Sequence, residues 1–285
     1  MAVALITGAS TGIGRATALR LARSGWTVLA GVRDTAAGAQ LAEEPGMTGS
    51  LIPLALDVTN PEQIAQAAAR VNELSARDGG PAAGLDALVN NAGIGVGGPL
   101  ELVTPEDMSR QFEVNVLAQV ALTQALLPAL RRAHGRIVFL SSIGGRVAMA
   151  YMAPYAASKH ALEAIADALR VELVSSHVQV ALIEPGSVAT PIWEKSRTEA
   201  ERVTIPDELH AQYGHIPDAM RKFVEDTARR AIPPEEVAET IEQALTAPRM
   251  RARYLVGRDA RIMLMLRRLL PDRTWDRLAR RALGV

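Results

Sequence analysis

The chain has 285 residues, and its 31 Lys and Arg balance its 31 Asp and Glu, so nothing in its net charge suggests a nucleic-acid partner. It has no cysteine, which excludes a disulfide framework and a thiol nucleophile and fits a reducing, cytoplasmic setting. The length suits one large α/β domain or two small ones, and no linker, low-complexity tract or internal repeat divides it.

An apolar run at 3–6 predicts a first strand, so close to Met1 that no cleavable leader is expected. Thr7-Gly8-Ala-Ser-Thr-Gly12-Ile-Gly14 follows and opens a stretch of helical spacing to Arg23. Glycines between a buried strand and a helix N-terminus are the context of a dinucleotide-binding turn. Gly8 permits the tight bend, Gly12 lets the backbone approach a pyrophosphate, and Gly14 allows close helix–strand packing. The helix start offers unpaired N–H groups to the anion, with Ser10, Thr11 and Ile13 beside it as further cofactor contacts.

The second strand, 27–32, ends in Ala30-Gly31-Val32-Arg33-Asp34. An acidic residue at that strand end would accept hydrogen bonds from the ribose hydroxyls of NAD. Val32 stands there and cannot, whereas Arg33 can meet a 2′-phosphate, which favours NADP over NAD. Asp34 complicates this, because it could neutralise Arg33 or displace the phosphate; otherwise Arg33 is an ordinary solvated turn residue.

A third strand, 51–56, closes on Asp57-Val58, and a fourth, 87–89, runs into Asn90-Asn91-Ala92-Gly93. Strands at 136–140 and 178–183 and a short one at 253–256 complete the set. Helices start near Gly12, Thr35, Pro61, Pro105, Pro154 and Pro234. Strands alternating with helices predict one parallel sheet of about seven strands, doubly wound in the Rossmann manner. The uncharged stretch 114–130 contains Asn115, Gln119, Thr123, Gln124 and Pro128, so it reads as a buried or interface helix rather than a membrane span.

The helix near Pro154 carries Tyr155-Ala-Ala-Ser-Lys159, which places an ammonium and a phenol on one helical face. A nearby cation favours the phenolate and draws the tyrosine from its usual pKa of about 10 toward the working range. Ser142 lies thirteen residues before Tyr155 at the end of a strand, a better position than that of its neighbour Ser141. Tyr151 has no lysine four residues on, and His134, His160, His177, His210 and His215 show no metal spacing, so no metal site is expected.

These motifs, in this order and spacing from about Ala2 to Leu245, resemble the short-chain dehydrogenase/reductase family. Leu29-Ala-Gly-Val-Arg-Asp34, Asn91-Ala-Gly-Ile-Gly-Val-Gly-Gly-Pro-Leu-Glu101 and Pro234-Glu-Glu-Val-Ala238 are most similar to the 17β-hydroxysteroid dehydrogenase type 1 and retinol dehydrogenase branch. The resemblance implies an NADP-linked oxidoreductase interconverting an alcohol and a ketone or aldehyde. In it Tyr155 is the acid/base, Ser142 binds the substrate oxygen, and Lys159 tunes Tyr155 and binds ribose. Asn115 holds a water that passes protons toward Lys159. It also implies that Asp57 meets the adenine amino group and Val58 lines its pocket, although Asp57 could instead cap the next helix. Asn91, Ala92 and Gly93 carry the backbone under ribose and nicotinamide, and Pro185, Gly186, Val188 and Thr190 line the nicotinamide amide and diphosphate. The family commonly forms homodimers or homotetramers through the Asn115 helix, 108–132, and the Tyr155 helix, 155–175. The alternatives are a non-catalytic dinucleotide-binding regulator, an NAD-linked alcohol dehydrogenase and a nucleotide-sugar epimerase. The intact set of Asn115, Ser142, Tyr155 and Lys159 counts against the first, and Asn90-Asn91-Ala92-Gly93 against the last.

Candidate substrate residues are Ile94, Gly95, Val96, Gly144, Met149, Met152, Ile192 and Trp193, mostly apolar and so suited to a steroid-, retinoid- or lipid-like carbonyl. The polar excursion 191–231 reads as a substrate loop or as surface decoration. From Gly257 on the chain is amphipathic. Ile262, Leu264, Met265, Leu266, Leu269 and Leu270 alternate with Arg258, Arg261, Arg267, Arg268, Arg273, Arg277, Arg280 and Arg281. Such an extension either packs on the 1–256 domain or lies peripherally on an anionic membrane, and the former is expected.

Overall fold

The computed structural model describes residues 1–77, 84–191 and 205–283; Ile192 and Trp193 lie outside them. Seven strands form one parallel sheet: β1 (Val3–Thr7), β2 (Thr27–Val32), β3 (Ser50–Ala55), β4 (Ala87–Asn90), β5 (Arg136–Leu140), β6 (Gln179–Pro185) and β7 (Arg253–Val256). Their order is β3-β2-β1-β4-β5-β6-β7. The order reverses between β1 and β4, and open α/β sheets bind ligands at such a crevice.

The strands are apolar almost throughout because both faces are covered. Successive side chains point to opposite faces. Ala4, Ile6, Val28, Ala30, Val138, Leu140, Ala181 and Ile183 enter one core. Val3, Leu5, Leu29, Ile137, Phe139, Val180 and Leu182 enter the other. The first core is roofed by α1 (Gly12–Arg23), α2 (Thr35–Ala42) and the helix Pro234–Thr246. The second lies under α3 (Pro61–Arg77), α5 (Ala118–Ala133) and α6 (Ala153–Glu172). Phe139 is fully buried in it, and a Phe-to-Ala truncation at such a site costs roughly 3–5 kcal/mol.

Strand bounds differ from expectation by a residue or so, except that β6 runs two residues further. Pro185 pairs with Val256, so the partner strand extends the ladder. The Asn115 helix starts at Pro105, as expected, ahead of the 108–132 stretch, and Thr104 caps it by accepting from Asp107 N at 3.0 Å. It is α4 (Pro105–Phe112), a π-helical turn (Glu113–Leu117) and then α5. By length and composition Pro105–Ala133 is apolar enough to cross a membrane, but half of its apolar window is buried in the fold. It is a core helix.

The later helices are α7 (His210–Tyr213), α8 (Ile216–Ala228), α9 (Pro234–Thr246), α10 (Arg258–Leu269) and α11 (Asp272–Leu283). α10 packs on β7 and on the 3-10 turn Ile143–Gly145, and α11 touches α8. Ile262, Met265 and Leu269 remain exposed along α10.

Candidate active site

A cleft of about 850 Å³ opens at the carboxyl ends of the strands. Its floor is the β1–α1 turn. Gly8 and Gly12 take φ of +64° and +55°, which favours glycine. Gly14 is needed for a different reason: a Cβ there would lie 2.3 Å from Gly8 O and 2.5 Å from Asn91 Nδ2. Thr7 Oγ1 accepts from the N–H groups of Asn91 and Ala92, both at 2.9 Å, and Asn91 Nδ2 donates to Thr7 O at 2.7 Å. The turns after β1 and β4 are thereby locked across the switch point.

The α1 start has neither a side-chain cap nor an acidic residue in its first turn. Thr11, Gly12 and Ile13 at that start line the cleft, and the first N–H groups of a helix have no intrahelical partner, as an anion site requires. The residues therefore fit a dinucleotide pyrophosphate.

Arg33 is exposed at the cleft edge. Asp34 does not neutralise it by default: its Oδ1 caps α2, accepting from Ala36 N at 2.9 Å. Val32 is 1% exposed and packs under Gly38, off the cleft. Asp57 and Val58 line the cleft. Asp57 Oδ1 accepts from Thr59 N at 3.0 Å and from Thr59 Oγ1 at 2.7 Å. The Thr59 N–H chiefly holds the Asp57 carboxyl below its ordinary pKa, against burial and with help from the Thr59 hydroxyl and Arg33. Asn60, not Asp57, caps α3, accepting from Glu62 N and Gln63 N.

On the opposite wall, Ser142, Tyr155 and Lys159 meet. β5 ends on Leu140, and Ser142, two residues on, caps the 3-10 turn Ile143–Gly145, its Oγ accepting from Gly144 N at 3.0 Å. The Ser142 hydroxyl hydrogen is then directed toward Tyr155 on the cleft wall. Gly144 is where a Cβ would stand 3.2 Å from Tyr155 Cε1, so the Tyr155 ring lies flush against bare backbone. Burial raises the Tyr155 pKa, and hydrogen bonding with Ser142 draws it back. The expected lowering by Lys159 is not what sets this value. Lys159 Nζ stands 5.8 Å from the Tyr155 ring centre and donates to Leu140 O at 2.7 Å. Burial lowers the Lys159 pKa to about 8, with Glu163 opposing.

Asn115 sits in the π-helical turn, fully buried and off the cleft lining. Its Oδ1 accepts from Ile94 N at 2.8 Å, and its Nδ2 donates to Ile94 O at 3.0 Å and Ser158 Oγ at 3.1 Å. Its side chain thus fixes Ile94 and α6 relative to each other. π turns recur at functional sites because they re-aim one residue.

The cleft wall contains Gly8, Ser10, Thr11, Gly12, Ile13, Asn91, Ala92, Gly93, Ile94, Gly95, Pro185, Gly186, Val188 and Thr190. Val96, Met149 and Met152 do not line it. Val96 is buried, its N–H given to Gln111 Oε1 at 2.6 Å, and Met152 lies where a Cβ on Gly97 would touch its sulfur. Motifs also missed Asp259 on α10. Its Oδ2 accepts from Ser187 N at 2.8 Å, and its carboxyl crowds Gly186, so the C-terminal helix fixes the Pro185-Gly186 loop. Among the described residues no His/Asp/Glu cluster suits a metal ion.

A family model for short chain dehydrogenases matches residues 2–201. The uncharacterized oxidoreductase YusZ of Bacillus subtilis is 34% identical, covering 99% of this chain and 98% of its own. The NADPH-dependent 3-dehydrocapnine reductase of Ornithobacterium rhinotracheale is 33% identical over 98% of this chain and 96% of its own. Retinol dehydrogenase 5 of Mus musculus is 36% identical over 95% and 85%. Among solved structures, a short-chain dehydrogenase from Streptomyces avermitilis superposes with TM-score 0.74 at 28% identity, covering 98% of this chain and 97% of that one. A Burkholderia phymatum short chain dehydrogenase/reductase in complex with NAD superposes with TM-score 0.77 at 27% identity, covering 94% and 92%. The chain belongs to the short-chain dehydrogenase family, in the retinol dehydrogenase branch. It is an oxidoreductase acting on CH–OH groups.

Proposed function

We propose that the protein is an NADP(H)-dependent reductase and dehydrogenase that interconverts an apolar ketone or aldehyde with its alcohol, with Tyr155 as the acid/base. The observation that carries this is one cleft holding Arg33 at the nucleotide end and Ser142, Tyr155 and Lys159 together at the other. Arg33, exposed at the cleft edge while Asp34 caps α2, supports the 2′-phosphate reading. The name of the 3-dehydrocapnine reductase, with NADPH in it, agrees.

Bound nicotinamide supplies the hydride that reduces the carbonyl carbon. The chain's own groups manage the oxygen and the proton. Ser142, its Oγ already satisfied as acceptor by Gly144 N–H, donates its hydroxyl hydrogen to the substrate oxygen. Tyr155 gives its phenolic proton to the same oxygen as charge builds there. A phenol whose pKa is raised by burial keeps that proton until the substrate oxygen calls for it. In oxidation Tyr155 takes the proton back, and the Lys159 ammonium supports its phenolate. Ile94 on the cleft and the likeness to retinol dehydrogenase 5 support an apolar substrate.

The test is oxidation of NADPH and NADH against a panel of apolar ketones and aldehydes, with wild type and Tyr155→Phe. Wild type turns over with NADPH preferred, and the variant binds NADPH yet loses at least about 10²-fold in kcat. Full turnover in Tyr155→Phe rejects the assignment.

A further inference from the structure

Behind Lys159 lies a buried charge cluster that none of the roles above uses. Glu163 follows Lys159 by one turn of α6, so the two side chains share a face. It is 7% exposed. Its Oε2 accepts from Arg253 Nε on β7 at 3.0 Å. Its Oε1 is buried with no hydrogen-bond partner, and so is the Ser141 hydroxyl just past the end of β5. Both side chains close on one point: a Cβ on Gly145 would lie 2.7 Å from Ser141 Oγ and 3.2 Å from Glu163 Cγ. No hydrogen bond of ordinary geometry joins them, yet the hydroxyl is near enough to ease the ionisation of Glu163.

The surrounding charges come from every packed element. Asp167 on α6 takes Arg253 Nη2 at 2.7 Å. Glu184 on β6 lies 3.1 Å from Arg253 Nε and takes Nη1 of Arg146, which follows the 3-10 turn, at 3.0 Å. Burial pushes the Glu163 carboxyl up to about 7, Glu184 adding to this and Ser141 and Arg253 opposing it. Burying an ionisable group this way costs free energy that an apolar residue would not. A charge one turn from Lys159 and out of water acts strongly on it. Of the groups acting on Lys159, Glu163 is the one that favours its charged form.

We propose that Glu163 is a positioning residue that acts through Lys159: its carboxylate, held by Arg253, keeps the Lys159 ammonium charged beside Tyr155. This rests on the reading of Tyr155 and Lys159 given above. The charged lysine is then present below its folded pKa and lost as pH rises through it, so it sets an alkaline limit on kcat. Ser141 assists by keeping Glu163 ionised.

The experiment is the pH profile of kcat at saturating NADPH and substrate for wild type, Glu163→Gln, Glu163→Asp and Ser141→Ala. Glu163→Gln removes the anion, so the alkaline limb moves to lower pH by about one unit, roughly a tenfold loss above both limbs. Glu163→Asp keeps the charge and holds the limb near its wild-type position. Ser141→Ala, a change too small to upset packing, moves the limb the same way by less. A merely structural role lowers kcat by one factor at every pH and moves no limb. Unmoved limbs in Glu163→Gln and Ser141→Ala overturn the proposal; if Glu163→Gln does not fold, Ser141→Ala decides alone. The two readings fail separately. A Tyr155→Phe enzyme that still turns over rejects the acid/base, whereas a dead Tyr155→Phe beside unmoved limbs rejects Glu163 only.

Discussion

The two halves of the sheet shape the cleft by different means. On the β1–β4 side the work is done by backbone. Gly8, Gly12 and Gly14 bend and admit the chain, and Thr7 and Asn91 tie two turns together through main-chain N–H and C=O groups. On the β5–β7 side charged side chains do it, the lysine and glutamates buried and the arginines half-buried. Lys159, Glu163, Glu184, Arg146 and Arg253 converge from α6, β6, β7 and the segment just after the 3-10 turn. A backbone device tolerates almost no added atom. A charge network tolerates atoms of similar shape but responds to pH.

The sharpest way to test that contrast is Gly14→Ala. Its methyl would sit 2.3 Å from Gly8 O, which no rotamer change relieves. The turn must open, at a cost of roughly 1–3 kcal/mol in stability. NADPH affinity falls by at least about 10²-fold, readable by calorimetric titration. Near-normal NADPH binding would show that the rigid turn is not what holds the cofactor.

Gly144→Ala carries the backbone argument to the other wall. Its methyl would meet the Tyr155 ring at 3.2 Å and Ser142 Oγ at 3.4 Å, contacts that need a shift of tenths of an ångström. A misplacement on that scale lowers kcat by about tenfold or more while NADPH affinity stays. Equal loss of kcat and NADPH affinity would instead mean that the turn collapses as a whole.

These two halves were not equally legible in sequence. Glycines with fixed spacing between a strand and a helix leave a local pattern, and Tyr155 and Lys159 lie four residues apart, so the nucleotide turn, the sheet and the Ser142, Tyr155 and Lys159 cluster could all be read. The apolar strand runs read well too, because a sheet covered on both faces leaves little ambiguity. Arg253, ninety residues from Glu163, and Asp259, seventy-two from Ser187, pair only through the tertiary fold. No period or spacing connects them. The burial of Val32 was not legible either: it stands at the strand end in sequence, but its side chain falls on the core face beneath α2, so Val32→Asp would bury a charge as well as repel a phosphate.

Arg33→Ala is therefore the cleaner probe of cofactor choice. Arg33 is solvent-exposed, so its removal leaves packing intact. One charge-assisted contact of ~1.4 kcal/mol corresponds to about tenfold in affinity. The ratio of kcat/KM for NADPH over NADH should fall by about that factor, and an unchanged ratio would show that Arg33 does not meet the 2′-phosphate.

The charge network predicts a pH effect on stability. Glu163 has its folded pKa raised from 4.5 to about 7, so the folded state holds a proton that the unfolded chain has released. Its favourable contribution is complete below pH 4.5 and is lost as pH rises through about 7. Glu163→Gln lacks this term. The difference in urea midpoint between wild type and Glu163→Gln should therefore drift against wild type across that interval. A pH-independent difference would mean that Arg253 holds Glu163 ionised throughout.

The smallest effect on turnover is expected at an exposed apolar face of the Asn115 and Tyr155 helices. Leu117, Val171 and Val174 are 56%, 71% and 67% exposed. Ala121 lies four residues after Leu117, and Ala164 and Ala168 precede Val171 on one face of α6; all three are exposed. Single exposed apolar residues are ordinary, but a small-residue face on two adjacent helices permits close approach by its own twofold copy. Among the described residues these side chains stay exposed, while α10 packs on β7 and the 3-10 turn and α11 touches α8. We propose an isologous homodimer, or a dimer of dimers, through this face. Light scattering at micromolar concentration should give at least twice 30.4 kDa, and Val171→Glu should bring it down to one chain. Because α6 also carries Tyr155 and Lys159, monomerisation loosens the site slightly, and kcat should fall by no more than about threefold. A wild-type mass of a single chain would reject the dimer. A dimer that survives Val171→Glu would move the interface to another surface, for which the exposed stripe Ile262, Met265 and Leu269 on α10 is the remaining apolar candidate among the described residues.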